Sequence, residues 1–291
     1  MTAFDILIIG GSGFVGSKLV RAALKAGLKV AYTYSRNQLL LPATSYQVRI
    51  QNGQELETCI TKSQPHCIVY CAVPPPRSDE YLHELVSVQG IQRVCTSLKN
   101  LENCKLIYIS TNSVFSGQDG PYKESDLPDP EKRHDQYRIY GLTRELGERV
   151  ALNSWDNTIV VRTSDVNGKD QVGKLNPRLI NLIDQLEAGN VVERSANAFI
   201  SPSLVDNLAE SLLEISGQNF TYHGVLHLAG SQQISYFDFA CLVAEKATLD
   251  KTLIKPEFSK VWNIGLDTCH SQSLLQTSFL NVNEQLSAIF L

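Results

Sequence analysis

An α/β fold built on a doubly wound parallel sheet, with a smaller C-terminal α+β lobe, is predicted by three observations. Short β-rich runs alternate with helical patterns through the first 165 residues. Two of the runs, Ile6-Leu-Ile-Ile9 and Leu106-Ile-Tyr-Ile109, are continuously apolar, as parallel strands covered on both faces require. A glycine-rich turn, Gly10-Gly-Ser-Gly13-Phe-Val-Gly16, joins the first such strand directly to the first helical pattern. That strand–turn–helix unit at the head of the alternation makes the sheet Rossmann-type.

In chain order the candidate strands are 4–10, 28–34, 46–50, 67–72, 104–110 and 157–162. Candidate helices fill 13–26, 54–63, 79–99 and 137–153. Beyond residue 165 the alternation loosens, with helices at about 175–188, 204–216 and 235–247 and short runs such as Gly224-Val-Leu-His-Leu228 between them. This divides the chain into a dinucleotide-binding domain over 1–165 and a substrate lobe over 166–291, part of which returns to the sheet. One long proline-rich loop, 117–136, precedes the helix at 137–153. Loops of that length in a compact domain are usually functional.

Composition narrows the function. Of 291 residues, 43% are apolar and 19% charged, with a net charge of −4, an ordinary globular balance without the basic excess that nucleic acid demands. Charge is uneven, however. No acidic residue lies between Asp5 and Glu55, whereas Lys18, Arg21, Lys25, Lys29, Arg36 and Arg49 do, a segment suited to an anionic ligand. The seven cysteines form no C-x-x-C pair and no metal-ligand spacing, which points to a reducing compartment without structural disulfides or zinc. The N-terminus lacks a basic n-region, and no run approaches the ~18 apolar residues of a membrane span. A cytoplasmic protein with no membrane partner is expected, and homodimerisation stays open.

Three segments carry chemistry. In the glycine turn, Gly10 permits the tight bend, Gly13 lets backbone approach a pyrophosphate, and Gly16 allows close helix–strand packing. At the end of the second strand an NAD site usually places an acid for the ribose 2′-hydroxyl. Here Ser35-Arg36 stands instead, and Arg36 suits the 2′-phosphate of NADP(H) over NAD(H). The strand Leu106–Ile109 ends in Ser110 and Thr111, hydroxyls at the edge where open α/β sheets bind ligands. Finally, Tyr140-Gly-Leu-Thr-Arg144 sets a phenol and a cation four residues apart on one helical face. A fixed cation there favours phenolate and suits Tyr140 to proton transfer.

Together these residues resemble the extended short-chain dehydrogenase/reductases, and among them the dTDP-4-dehydrorhamnose reductase family. The spacing of the glycine turn, with Phe-Val inside it, is the short-chain variant. Ile109-Ser-Thr-Asn-Ser-Val-Phe-Ser-Gly117 is similar to the family's Ile-Ser-Thr-Asp-Tyr-Val-Phe-Asp-Gly, and Tyr140-Gly-Leu-Thr-Arg-Glu-Leu-Gly-Glu148 to its Tyr-Gly-x-Thr-Lys-x-x-Gly-Glu. Tyr122–Pro130, Val161–Ser164, Val205–Ala209 and Gly224–Gly230 extend the likeness over nearly the whole chain.

The resemblance implies a catalytic set of Thr111, Tyr140 and Arg144, the last standing where the family has lysine and reaching the nicotinamide ribose. It implies a pyrophosphate held by Gly10, Ser12, Gly13, Phe14, Val15 and Gly16, with Ala72 and Val73 flanking the adenosine or ribose and Ser110 near the cofactor. Ser113, Thr163 and Ser164 become candidate substrate contacts, Ser113 replacing a pocket tyrosine. The run Cys71-Ala-Val-Pro-Pro-Pro76 replaces an alanine-rich one and forms a stiff wall near the nicotinamide. Arg133 and His134 in the long loop could touch a sugar phosphate. The expected activity is NADPH-dependent reduction of a keto group on a nucleotide sugar, with Tyr140 as proton donor and no metal. A non-catalytic NADP-binding regulatory or partner-binding relative and a nucleotide-sugar epimerase are the alternatives.

Overall fold

The computed structural model describes residues 3–75, 78–101 and 103–291; Pro76, the last residue of the expected proline wall, lies outside them. The first strands are β1 (Ile6–Ile9), β2 (Val30–Tyr34), β3 (Thr44–Gln47), β4 (Cys67–Tyr70), β5 (Lys105–Thr111) and β6 (Thr158–Thr163). Short strands β7 (Val166–Asn167), β8 (Val192–Ser195), β9 (Ala198–Ile200) and β10 (Ser203–Leu204) follow, and then β11 (Gly224–His227) rejoins the main sheet. Its seven strands run parallel in the order β11-β6-β5-β4-β1-β2-β3. The order reverses between β1 and β4, which opens a crevice at the C-terminal ends of those strands.

Alternation along β1 builds both faces of the core. Leu7 and Ile9 join Leu56 and Ile60 of α2 (Gly53–Ser63), Ile91 and Val94 of α4 (Gly90–Leu98), and Ala151 of α5 (Arg138–Ser154). Ile6 and Ile8 face Leu19, Val20 and Ala23 of α1 (Phe14–Lys25) and Leu208 and Leu212 of α7 (Val205–Ser216). The lobe has its own core, where α6 (Pro177–Glu187), α8 (Tyr236–Lys246) and α10 (Val282–Phe290) bring Leu182, Val243 and Leu286 together beside β13 (Ile254–Glu257). Its sheets pair β8 with β13, and β9 with both β12 (Ile234–Ser235) and β14 (Trp262–Asn263). The short helix α9 (Cys269–Leu274) lies against β11.

Three departures from the sequence reading have physical causes. The third strand stops at Gln47 rather than running on to residue 50, because Arg49 donates its backbone N–H to Glu55 instead of continuing the ladder. The helix expected over 79–99 is α3 (Glu80–Glu84) and α4 joined by a π-turn at Leu85–Gln89. Two tyrosine hydroxyls donate to carbonyls of that turn, Tyr70 to Val86 (2.5 Å) and Tyr108 to Ser87 (3.1 Å). Helices α9 and α10 were not expected at all.

At the N-terminal end of the sheet, Lys105 is buried and its Nζ donates to the carbonyls of Ile215 (2.9 Å), Gly217 (2.5 Å) and Phe220 (2.7 Å). A cation thus closes the C-terminus of α7, where the helix dipole and unpaired carbonyls call for one. Cys59, Cys67, Cys95 and Cys104 are buried as free thiols, while Cys269 is exposed. Among the described residues no helix is long and apolar enough to cross a membrane.

Candidate functional site

The glycine turn sits in the crevice with little room to spare. Gly10 has φ +80°, and a Cβ there would stand 2.8 Å from the Ala72 nitrogen, so only glycine serves. A Cβ on Gly16 would collide with the Gly10 carbonyl, which fixes α1 close against the end of β1. Gly13 is the N-cap of α1 yet offers no side chain, and no acid occupies the first turn. Phe14, Val15 and Gly16 follow at positions where a helix leaves its N–H groups without intrahelical acceptors, and Ser12 is half-buried beside them. An uncapped helix N-terminus behind a glycine cradle is suited to a pyrophosphate.

Beyond β2, Ser35 and Arg36 are exposed, and Glu55, the first acid after Asp5, is held by Arg49 and Asn52. No carboxylate therefore competes with Arg36 for a 2′-substituent at that strand end. Ala72 is buried under the glycine turn, and Val73 is exposed. Pro74 is buried and Pro75 exposed, so the described part of the proline run has only one inward face.

Helix α5 reaches this crevice through two close approaches. A Cβ on Gly141 would collide with the Ser113 carbonyl, and one on Gly147 with the Tyr108 hydroxyl and the Ser87 carbonyl. These contacts seat α5 on the end of β5, with Tyr140 half-buried and its ring 5.7 Å from that of His83. One turn on, Arg144 is 2% exposed. It donates to the Ala72 carbonyl through Nη1 at 3.4 Å, and its Cζ lies 4.4 Å from the centre of the Tyr108 ring. Its buried Nε has no partner. Arg144, Ala72 and Gly10 are thereby linked across one crevice, with Tyr140 one helical turn from Arg144.

Several predicted hydroxyls are turned into the protein instead. Ser110 donates to the Glu148 carboxylate, Thr163 shares a hydrogen bond with Ser203 (3.1 Å), and Ser164 accepts from Asn112 (2.8 Å). Each is buried, and a buried hydroxyl must find a partner. Thr111, also buried, accepts the Ser113 N–H at 3.1 Å and donates to Asn112 Oδ1 at a long 3.3 Å. Ser113 itself is buried at the foot of α5. Arg133 is spoken for as well, since it pairs with Asp135 and donates to the Phe115 carbonyl, whereas His134 is exposed.

Sequence reasoning missed the charged floor below these residues. Glu148 and Arg162, each 3% exposed, form a two-pronged ion pair with Arg162 Nη2 at 2.8 Å. Arg162 lies 5.0 Å over the Phe115 ring, and its partner across the ladder is His227. Burial, reinforced by Arg162, lowers the His227 pKa to about 4, so the imidazole is neutral with Nδ1 against the Asp267 carbonyl (3.0 Å). The signal was present: an arginine closing the strand-like run Thr158-Ile-Val-Val-Arg162 calls for a partner if it is buried, and an acid is the strongest one. Burial likewise pushes the neighbouring Cys71 thiol up to about 12, which removes it as a nucleophile.

Comparison with known proteins fits this geometry. The RmlD substrate-binding domain model matches residues 4–283. The chain belongs to that family. Within it, the chain is 25% identical to a hypothetical dTDP-4-dehydrorhamnose reductase from Sulfolobus tokodaii, with a TM-score of 0.80 over 96% of this chain and 98% of that one. The dTDP-4-dehydrorhamnose reductase of Bacillus anthracis, solved with NADP, shares the fold at a TM-score of 0.82 and 18% identity over 99% of both chains. The methionine adenosyltransferase 2 subunit beta of Xenopus tropicalis is 24% identical over 281 residues, 90% of this chain and 79% of its own. This RmlD-family chain thus has the fold of NAD(P)-dependent oxidoreductases of the nucleotide-sugar short-chain type.

Proposed function

We propose that this protein is an NADPH-dependent reductase of a keto group on a nucleotide sugar. The observation that carries the reading is the single crevice in which helix α5 brings Arg144 against the Ala72 carbonyl, beneath the Gly10 turn and one helical turn from Tyr140. The residues fit a dinucleotide on structural grounds: a glycine cradle that a Cβ would fill, an uncapped α1, and an orphaned Nε on Arg144. Gly10, Ser12, Gly13, Phe14, Val15 and Gly16 would hold the pyrophosphate, Ser35 and Arg36 the 2′-phosphate, and Ala72 and Val73 the riboses. Bound NADPH supplies a hydride.

Tyr140 delivers the proton to the substrate carbonyl oxygen, with Thr111 orienting that oxygen as a second donor. Arg144 holds its positive charge beside both. The long bond from Thr111 to Asn112 is weak enough to be exchanged for one to substrate. Ser110 and Glu148 would serve by fixing the end of β5 on which Thr111 sits. The lobe over 166–291 would receive the nucleotide sugar against Ser113.

Two features favour a second reading, a non-catalytic NADP-binding subunit of a larger assembly: arginine where the family has lysine, and the likeness to an adenosyltransferase beta subunit. The test is NADPH oxidation, followed by absorbance, with a panel of dTDP- and UDP-linked 4-keto sugars. Turnover abolished by Tyr140→Phe would support the reductase. NADPH binding without turnover, in both the wild type and Arg144→Lys, would support the subunit.

A further inference from the structure

We propose that Tyr32, a buried residue of β2, is a positioning residue for the choice of dinucleotide: its hydroxyl pins the backbone of Leu39 and so holds the segment that carries Arg36 in place for a 2′-phosphate. This rests on the cofactor reading above and adds to it the device that makes the site selective.

Ser35, Arg36, Asn37 and Gln38 form an exposed arch between two fixed ends. At one end β2 closes at Tyr34, in register with Gln47 of β3. At the other, Leu39 is buried in the apolar cluster that covers one face of β1 and β2. Tyr32, fully buried, makes two bonds there with its one oxygen. It accepts the Leu39 N–H at 3.0 Å and donates to the Leu39 carbonyl at 3.2 Å. A single phenol thus satisfies both backbone groups of a buried residue that has left the ladder. Two further side-chain bonds tie the segment down, Gln47 to the Ser35 carbonyl (3.2 Å) and Gln38 to Ser45 (2.8 Å). Both are exposed and exchange with water, which leaves Tyr32 as the buried anchor.

The same strand end supports the glycine turn. Thr33 Oγ1 accepts the Gly10 N–H at 2.9 Å, and a Cβ on Gly11 would collide with the Tyr32 Cβ. Cradle and arch are therefore built on consecutive residues of one strand, so pinning the arch also fixes it relative to the cradle. Packing alone does not call for the hydroxyl, since phenylalanine would fill the same space. An oxygen in the core is tolerated for the bonds it makes. Without it the buried N–H and carbonyl of Leu39 would go unmet, and the segment would reach water by lifting from the sheet. Arg36 would then have to be ordered at each binding event, a cost that falls on a ligand with a 2′-phosphate and not on one without.

The test is fluorescence titration of the full chain with NADPH and NADH, run beside limited trypsin digestion read at the Arg36–Asn37 bond by mass spectrometry. In Tyr32→Phe the affinity for NADPH should fall about fivefold with that for NADH unchanged. Without cofactor, the bond should be cut about tenfold faster in that variant than in the wild type. Adding Tyr32→Phe to Arg36→Ala should cost NADPH nothing more, since the tyrosine acts through the arginine. Equal losses for both dinucleotides, an unaltered NADPH-to-NADH ratio or cutting rate, or a further loss in the double variant would overturn the inference. Should Tyr32→Phe fail to fold, digestion of the cofactor-free wild type decides. Cutting at Arg36 as fast as in a free peptide of residues 30–43 would overturn the inference, and slower cutting supports it. A wild type that binds NADPH no better than NADH, or binds neither, would instead defeat the cofactor reading, and this inference with it.

Discussion

At the N-terminal end of the sheet Lys105 donates to three carbonyls within 2.9 Å, whereas at the C-terminal end Arg144 reaches one carbonyl at 3.4 Å and leaves Nε unpaired. Both cations are buried and both lie where a strand meets a helix. The first is satisfied entirely by the fold and acts as a clamp on α7. The second is satisfied only in part, as is α1, which starts at Gly13 without a side-chain cap. Native proteins seldom leave buried donors unmet, so the incomplete end is where the proposed cofactor would complete the structure.

Four substitutions can break or sharpen that contrast. Tyr140→Phe removes the proposed proton donor from the incomplete end; keto-sugar turnover should fall by about 10³-fold while the melting temperature hardly moves. Equal loss of both, measured by NADPH absorbance and calorimetry, would make Tyr140 a packing residue. Lys105→Met strikes the clamp. Three carbonyls lose a charged donor, and stability should drop by about 3 kcal/mol, or roughly 6 °C in melting temperature, with NADPH affinity unchanged.

His227 probes the charged floor between these extremes. Its folded pKa of about 4 lies below the ordinary histidine value, so the unfolded chain binds the extra proton first as pH falls. The contribution of neutral His227 is therefore complete above about pH 6.5 and lost on descending toward 4, on the order of 2 kcal/mol. His227→Asn should flatten that limb in urea titrations run at several pH values. Arg36→Ala, at the exposed rim, carries the smallest expected effect: about a tenfold loss in affinity for NADPH and none for NADH, read by fluorescence titration.

How far the sequence could be read also divides along the molecule. The sheet was legible because β1, β4 and the Leu106–Ile109 stretch of β5 are continuous apolar runs, and α1 because its apolar positions repeat at helical spacing behind a glycine turn. The lobe was less so. Its strands β7, β10, β12 and β14 are two residues long, too short to show any period. Helix α10 did announce itself, through the capping box of Asn281 and Glu284, a signal that went unused.

The candidate site divides in the same way. Gly10, Gly16 and Tyr140 declare themselves through local spacing. The platform for Arg144 does not, because Tyr108 comes from another strand and is aimed by a π-turn that no pattern foretells. The inward turn of Ser110, Thr163 and Ser164 depends on partners at Glu148, Ser203 and Asn112, far apart in the chain.

The distribution of thiols makes the chain its own reporter. Cys59, Cys67, Cys95 and Cys104 are sealed in the core, and burial lifts Cys67 to about 12, while Cys269 stands in the open. A thiol-specific dye should therefore mark Cys269 at once and the core positions only during openings of the sheet. The labelling rates, resolved peptide by peptide, would time the breathing of the clamped end without any engineered probe.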